Sequence, residues 1–239
     1  MIRFIIAAFV ILIILIATLP VLGVLFVLRI FLRDRAERSA QSVISAVAGI
    51  LLVISGAQVK VTGLENIPEN EPVLFYSNHR SYFDIIAGYA VLRKRYSYVA
   101  KIELFRYPVF RRWMQLIASI FLDRKDPKSG VNMVIDAQKL LARGVSVYIF
   151  AEGTRAKKGP AEEMHFFHNG SFKPAQRSGC RAVPVLILGT REIFEDHLPC
   201  VRPGTVELRI GRPIDVASIP DEERKNIGDY MQRRLKELF

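Results

Sequence analysis

The feature that most restricts this chain is an uncharged run near its amino terminus. Phe4 to Leu28 reads FIIAAFVILIILIATLPVLGVLFVL, 25 residues between Arg3 and Arg29. A bilayer hydrocarbon core of ~30 Å is crossed by about 20 apolar residues at 1.5 Å each. The run exceeds the ~7–15 residues of a signal-peptide apolar region and carries no convincing small-x-small cleavage site. It is expected to form a retained membrane helix, kinked near Pro20 and Gly23, which a membrane helix tolerates. A second apolar stretch, Val43–Ile54, has 12 residues. That is too few to span as a straight helix, and it fits a re-entrant or interfacial partner.

Between the two stretches lie Arg29, Arg33, Arg35 and Arg38, whereas only Arg3 and the amino terminus flank the other side. The positive-inside bias therefore puts the carboxyl-terminal side in the cytoplasm, on the inner membrane. Cys180 and Cys200 are too few for a disulfide scaffold, and two reduced thiols agree with that side. A spanning helix and a helix pair inserted in one leaflet give the same reading. The chain divides into membrane-anchoring helices at 1–56 and a folded domain at 57–239. Deleting 1–56 is expected to release a soluble domain with poor activity on membrane substrate.

The folded part has the pattern of an α/β domain. Strand-like runs at Gln58–Thr62, Val73–Tyr76, Ser97–Ala100, Ser119–Asp123, Val145–Phe150, Arg181–Leu188 and Val206–Ile210 alternate with helical spacing. The helices are expected at Ser81–Lys94, at Ser129–Arg143 with Ser129 as N-cap and Gly144 just past its end, and at Asp221–Leu238. Such alternation implies a largely parallel central sheet flanked by helices, with ligands at the carboxyl ends of the strands. If the strands are parallel, three polar loops share that edge: Ser77–Asp84, Arg124–Lys125 and Ala151–Arg155.

In the first loop, His79 and Asp84 are spaced so that the carboxylate, in the first turn of the next helix, can fold back onto one imidazole nitrogen. That fixes the tautomer and leaves the other nitrogen as a base. No nucleophilic serine is needed, because the substrate's own hydroxyl can be deprotonated. Ser81-x-x-Asp84 also has the form of a helix-capping arrangement. In the Glu152-Gly153-Thr154-Arg155 loop, Gly153 allows a tight turn, Thr154 offers a hydroxyl and Arg155 can clamp a phosphate in bidentate fashion. Arg124 is a second candidate for the anion. Glu152, beside an anion site, fits a role in orienting an arginine or the loop.

These residues resemble the 1-acylglycerol-3-phosphate acyltransferases (lysophosphatidic acid acyltransferases). The Asn-His-x-Ser-x-x-Asp motif is met by Asn78, His79, Ser81 and Asp84. The Phe-Pro-Glu-Gly-Thr-Arg motif is met by Phe150, Glu152, Gly153, Thr154 and Arg155, with Ala151 where the family usually has proline. Ile120–Arg124 loosely matches the second motif, Val183–Ile187 the fourth, and Gly170–Ala175 resembles the Phe-Lys-x-Gly segment. The likeness covers roughly residues 58–215 in motif order. It implies transfer of a fatty acyl group from acyl-CoA or acyl-carrier protein, as co-substrate, to the hydroxyl of a lysolipid. His79 would be the general base and Asp84 its orienting partner. Asn78, Ser81, Arg124, Glu152, Gly153, Thr154 and Arg155 would be the substrate-binding positions. The Ala151 departure keeps other acceptors open, such as lyso-ornithine lipid or another lysophospholipid.

A thioester is already activated, so no metal or redox cofactor is called for. His165 and His168 lack a third ligand for zinc nearby. The chain carries 34 Lys and Arg against 23 Asp and Glu, and much of the excess falls in Val91–Lys128, with ten basic and three acidic residues interleaved with aromatics. That stretch suits anionic headgroups, the phosphates of coenzyme A or the acidic face of a carrier protein. No nucleic-acid recognition motif is present, so membrane lipids are the expected partners. A membrane-anchored anion binder without catalysis is the distant alternative.

Overall fold

The computed structural model describes residues 2–156 and 159–239. The uncharged run is two helices: α1 (Ile2–Ala17) and α2 (Leu19–Phe31) meet at Thr18. Pro20 has no N–H to continue the ladder, and the Thr18 hydroxyl donates to Ile14 O at 2.7 Å, so the interruption falls at Thr18, just ahead of Pro20. The second apolar stretch is longer than its uncharged part. Helix α3 (Arg33–Ser55) adds a polar first half and reaches 23 residues. Among the described residues it is the one helix long and apolar enough to cross a membrane by length and composition. Many apolar side chains of α1 and α2 face outward; Ile30 and Phe31 are each 77% exposed.

Beyond residue 56 lies a seven-stranded sheet in the order β1-β7-β6-β2-β5-β3-β4. Its strands are β1 (Ala57–Thr62), β2 (Leu74–Ser77), β3 (Tyr96–Lys101), β4 (Ile120–Leu122), β5 (Ser146–Phe150), β6 (Ala182–Leu188) and β7 (Gly204–Ile210). Neighbours pair in parallel except β6 with β7. The sheet is therefore largely parallel, as its alternation with helices requires. Central strands are buried on both faces. Val73, Phe75, Tyr148 and Val185 pack on one side with α3, α4 (Phe83–Val91) and α5 (Pro108–Leu116). Leu74, Tyr76, Val147 and Leu186 pack on the other with α6 (Pro127–Ala142), α7 (Lys173–Ser178) and, after the short α8 (Thr190–Ile193) and α9 (Asp221–Lys225), α10 (Ile227–Lys236).

Two helix ends differ from expectation. The cap of α6 is Asp126, whose side chain accepts from Lys128 N, with Pro127 in the first turn; the Ser129 hydroxyl instead accepts from Asp123 N at 2.9 Å. The last helix is interrupted at Asn226 and becomes α9 and α10.

The change from helices to sheet at residue 56 is not a break in packing. Ala40, Ala48 and Leu52 of α3 belong to the same core as Phe83 and Ala87 of α4. The buried Gln41 side chain donates to Lys94 O at 2.7 Å and accepts from Tyr96 N at 3.2 Å, which ties α3 to the start of β3. Deletion of 1–56 is thus expected to strip α4 of its cover and yield aggregated or molten protein, whereas deletion of 1–31 leaves α3 on α4 and takes only Leu25 from that buried core. Thermal melts of the two truncations check this; a cooperative melt of the shorter fragment at the full-length temperature would contradict it.

Candidate active site

Strands β2, β5, β6, β3 and β4 all run the same way, so their carboxyl ends share one edge. The loop leaving β2 begins with Asn78. Its side chain is fully buried and its amide is taken up by one residue of a neighbouring strand: Nδ2 donates to Ile187 O at 2.7 Å and Oδ1 accepts from Ile187 N at 2.9 Å. Asn78 therefore fastens the loop to β6, and its amide is engaged there rather than by a substrate. Ser81 is likewise buried, and its Oγ accepts from Phe83 N at 2.9 Å to start α4.

His79 Nδ1 lies 2.8 Å from Asp84 Oδ2. The same oxygen accepts from Arg80 N at 2.7 Å and Ser81 N at 2.8 Å, and Oδ1 accepts from the Thr190 hydroxyl at 2.6 Å. An ionised carboxylate only accepts, so Nδ1 carries the proton and Nε2 presents a lone pair. Asp84 is fully buried, with four donors locking its rotamer. The His79 ring stacks on Phe150 at 3.9 Å between centroids, and its side chain remains 13% exposed. Oriented at one nitrogen and partly exposed, this imidazole can take a proton from a hydroxyl that reaches its second nitrogen.

Glu152, at the end of β5, orients the loop. It is buried; Oε1 accepts from His79 N at 2.7 Å and Oε2 from His165 N at 2.9 Å. Burial pushes its carboxyl pKa up, and the two backbone N–H groups oppose that rise. Ala151 stands at the motif's proline position, and its N–H donates to Ser77 O at 3.2 Å, a bond proline cannot make. Gly153 has φ +67°, and a Cβ there would come within 3.0 Å of the His168 ring. Thr154 is exposed.

Arg155 comes to the same edge, but with a partner that its spacing did not announce. Its guanidinium lies 3.8 Å over the Tyr82 ring, donates to Tyr82 OH at 3.2 Å and to Glu195 Oε1 at 3.1 Å. Glu195 Oε1 also accepts from Tyr82 N at 2.8 Å, while the buried Oε2 has no hydrogen-bond partner among the described residues. Arg124 lies just past β4 at the same edge, three strands from β2 or about 14 Å at the usual strand spacing, and it is exposed.

Thr190 and Glu195 were not singled out from the sequence. Reading the residues just past each strand exposed the other loops, and the same rule reaches Thr190 when applied to β6. Gly189 makes that turn at φ +77°, where a Cβ would meet Thr205 O at 1.9 Å. Glu195 carries no local signal.

Known proteins share the sequence pattern and the fold of this chain. Residues 58–188 match the acyltransferase family model. The chain is 29% identical over 207 residues to the chloroplastic 1-acyl-sn-glycerol-3-phosphate acyltransferase LPAT1 of Arabidopsis thaliana, covering 84% of this chain and 57% of that protein. It is 28% identical over 193 residues to the 1-acyl-sn-glycerol-3-phosphate acyltransferase of Borreliella burgdorferi, covering 81% and 76%. The chain thus spans little more than half the length of the plant relative. The crystal structure of the 1-acyl-sn-glycerophosphate (LPA) acyltransferase PlsC from Thermotoga maritima superposes with a TM-score of 0.73 at 25% identity, covering 90% of this chain and 87% of that one.

Proposed function

Because this chain belongs to the acyltransferase family, we propose that it moves a fatty acyl group from an acyl thioester to the free hydroxyl of a lysolipid, with 1-acylglycerol-3-phosphate as acceptor and phosphatidic acid as product. The observation that carries this reading is the His79–Asp84 pair at 2.8 Å, with no hydrogen bond to the second ring nitrogen among the described residues. Nε2 takes the acceptor's hydroxyl proton as its oxygen attacks the thioester carbonyl. Asp84 stabilises the imidazolium. The tetrahedral intermediate then collapses, and the leaving thiolate receives the proton back from Nε2, giving ester and free thiol. The donor is acyl-CoA or acyl-carrier protein. Arg155, at the same edge, takes the acceptor's anionic head. Residues 1–56 hold the enzyme on the cytoplasmic face of the inner membrane; the arginines after α2 and the exposed apolar faces of α1 and α2 support this.

A second acceptor is favoured by one contact. Arg155 is already paired with Glu195, so a cation and a carboxylate stand side by side, the second carboxylate oxygen being buried and without a partner among the described residues. A zwitterionic head, as in lyso-ornithine lipid, complements both charges. The test is a lysolipid panel given to the purified full chain with each thioester donor, read by mass spectrometry. Phosphatidic acid is the expected product, and absence of acyl transfer to every acceptor would overturn the assignment. Arg155→Ala is expected to raise KM for the phosphorylated acceptor about tenfold or more, the cost of a lost charge-assisted hydrogen bond. An unchanged KM, with greater kcat/KM on lyso-ornithine lipid, would move the assignment to the zwitterion.

A further inference from the structure

Away from the catalytic edge, a groove of about 1020 Å³ is lined by the edge strand β4, α5 and α6, with Phe26 and Arg29 of α2 in its wall. Its walls carry Arg29, Arg33, Arg112, Lys139 and Arg143 against a single carboxylate, Asp136. Lys139 and Asp136 pair with each other at 3.0 Å. The remaining guanidinium groups are undercompensated. Arg29, Arg33 and Arg143, with Arg95 behind them, all turn to the buried Glu37, and Asp34 is the only other carboxylate they reach among the described residues. Arg29 stands 3.9 Å from its nearest carboxylate oxygen. Arg112 has no carboxylate partner among the described residues; its guanidinium lies 5.4 Å over the Phe26 ring of α2.

The apolar side of the groove is continuous with a surface already exposed. Phe26 lines it, and its i+4 neighbour Ile30 leads from the groove to the outward face of Val24, Val27 and Phe31, while the half-buried Arg29 turns from the other side of the helix into the groove. Excess guanidinium at the end of an apolar helix face is complementary to a molecule with an anionic head and apolar tails. We propose that this groove binds an anionic phospholipid of the bilayer, its phosphate between Arg29 and Arg112 and its acyl chains along the exposed face of α2, at a site separate from that of the acceptor lysolipid. The assignment rests on residues 1–56 being the membrane anchor.

The chain's single tryptophan, Trp113, adjoins Arg112 and packs in the same core as Leu25 of α2, so it reports on this seam. The full chain is reconstituted in vesicles of equal phosphatidylcholine and phosphatidylglycerol, with bromine on the acyl chains of one lipid or the other, and Trp113 fluorescence is read. Bromine on phosphatidylglycerol is expected to quench more strongly, and Arg112→Gln to reduce the apparent preference about fivefold, the effect of one base near a membrane surface. Arg112→Lys, which keeps the charge, is expected to retain most of it. Equal quenching by both lipids in protein that floats with the vesicles would overturn this proposal alone. So would an unchanged preference in Arg112→Gln, or displacement of the brominated phosphatidylglycerol by millimolar inorganic phosphate, which would make the groove a site for the free ion. Failure to float would overturn the anchor reading and the proposal with it.

Discussion

Replacing His79 by alanine is expected to lower kcat by about 10²–10⁴-fold, the range for a positioned general base, while leaving the fold in place. The main chain at this position is held independently of the ring: His79 N donates to Glu152 and His79 O accepts from Ala156 N at 2.9 Å. The loss therefore falls on the chemical step, and KM for the lysolipid should move little. Steady-state kinetics on the folded variant, with circular dichroism as the control for integrity, decide the matter. Near-wild-type turnover would reject the base assignment and leave the anion site as the functional element.

Asp84→Asn is the second large effect. The carboxylate fixes the His79 tautomer and also receives two backbone N–H groups and the Thr190 hydroxyl. An amide of the same shape has one acceptor atom. Either its NH₂ faces the N–H donors of Arg80 and Ser81, or it turns its oxygen to them and offers NH₂ to Thr190. Buried hydrogen bonds are lost or reversed in each case, at a cost of about 1–3 kcal/mol for each donor left unpaired. In the first orientation the amide, now a donor, makes His79 accept at Nδ1 and protonates Nε2, the nitrogen that must be free. Turnover is expected to fall by about 10²–10⁴-fold, together with a lower melting temperature, which His79→Ala should not share to the same extent. Thr190→Val provides the graded control: it removes one donor to Asp84 without touching the imidazole, so a small loss of rate with intact protein would mark Thr190 as a positioning residue.

Much of the architecture was legible along the chain. The strand runs and their loops carried the α/β pattern, and the sheet realises it with every expected strand present within two residues. Local pattern misled where two local effects competed. The 25-residue uncharged run reads as one helix by hydropathy, yet Thr18 and Pro20 divide it. Val43–Ile54 reads as short by hydropathy, yet charged residues before it are helical too and extend it to 23 residues. At α6 two capping residues lay three positions apart, and Pro127 after Asp126 decided between them. A shared edge also leaves distance along the edge open: the strand order places β5 next to β2 but puts β3 between β5 and β4, so Arg124 starts three strands from His79.

Residue order was enough to foresee one contact within one loop. His79 and Asp84 are five positions apart, and the turn between them is short enough that their pairing is a local matter. The company that each polar group keeps came from the folded chain alone. Asp84 meets Thr190 across 106 positions, Asn78 meets Ile187 across 109, and Arg155 finds Glu195 across 40. Those contacts depend on which strands lie side by side, and strand order is set by burial of whole faces of the sheet, a property that no window of neighbouring residues contains.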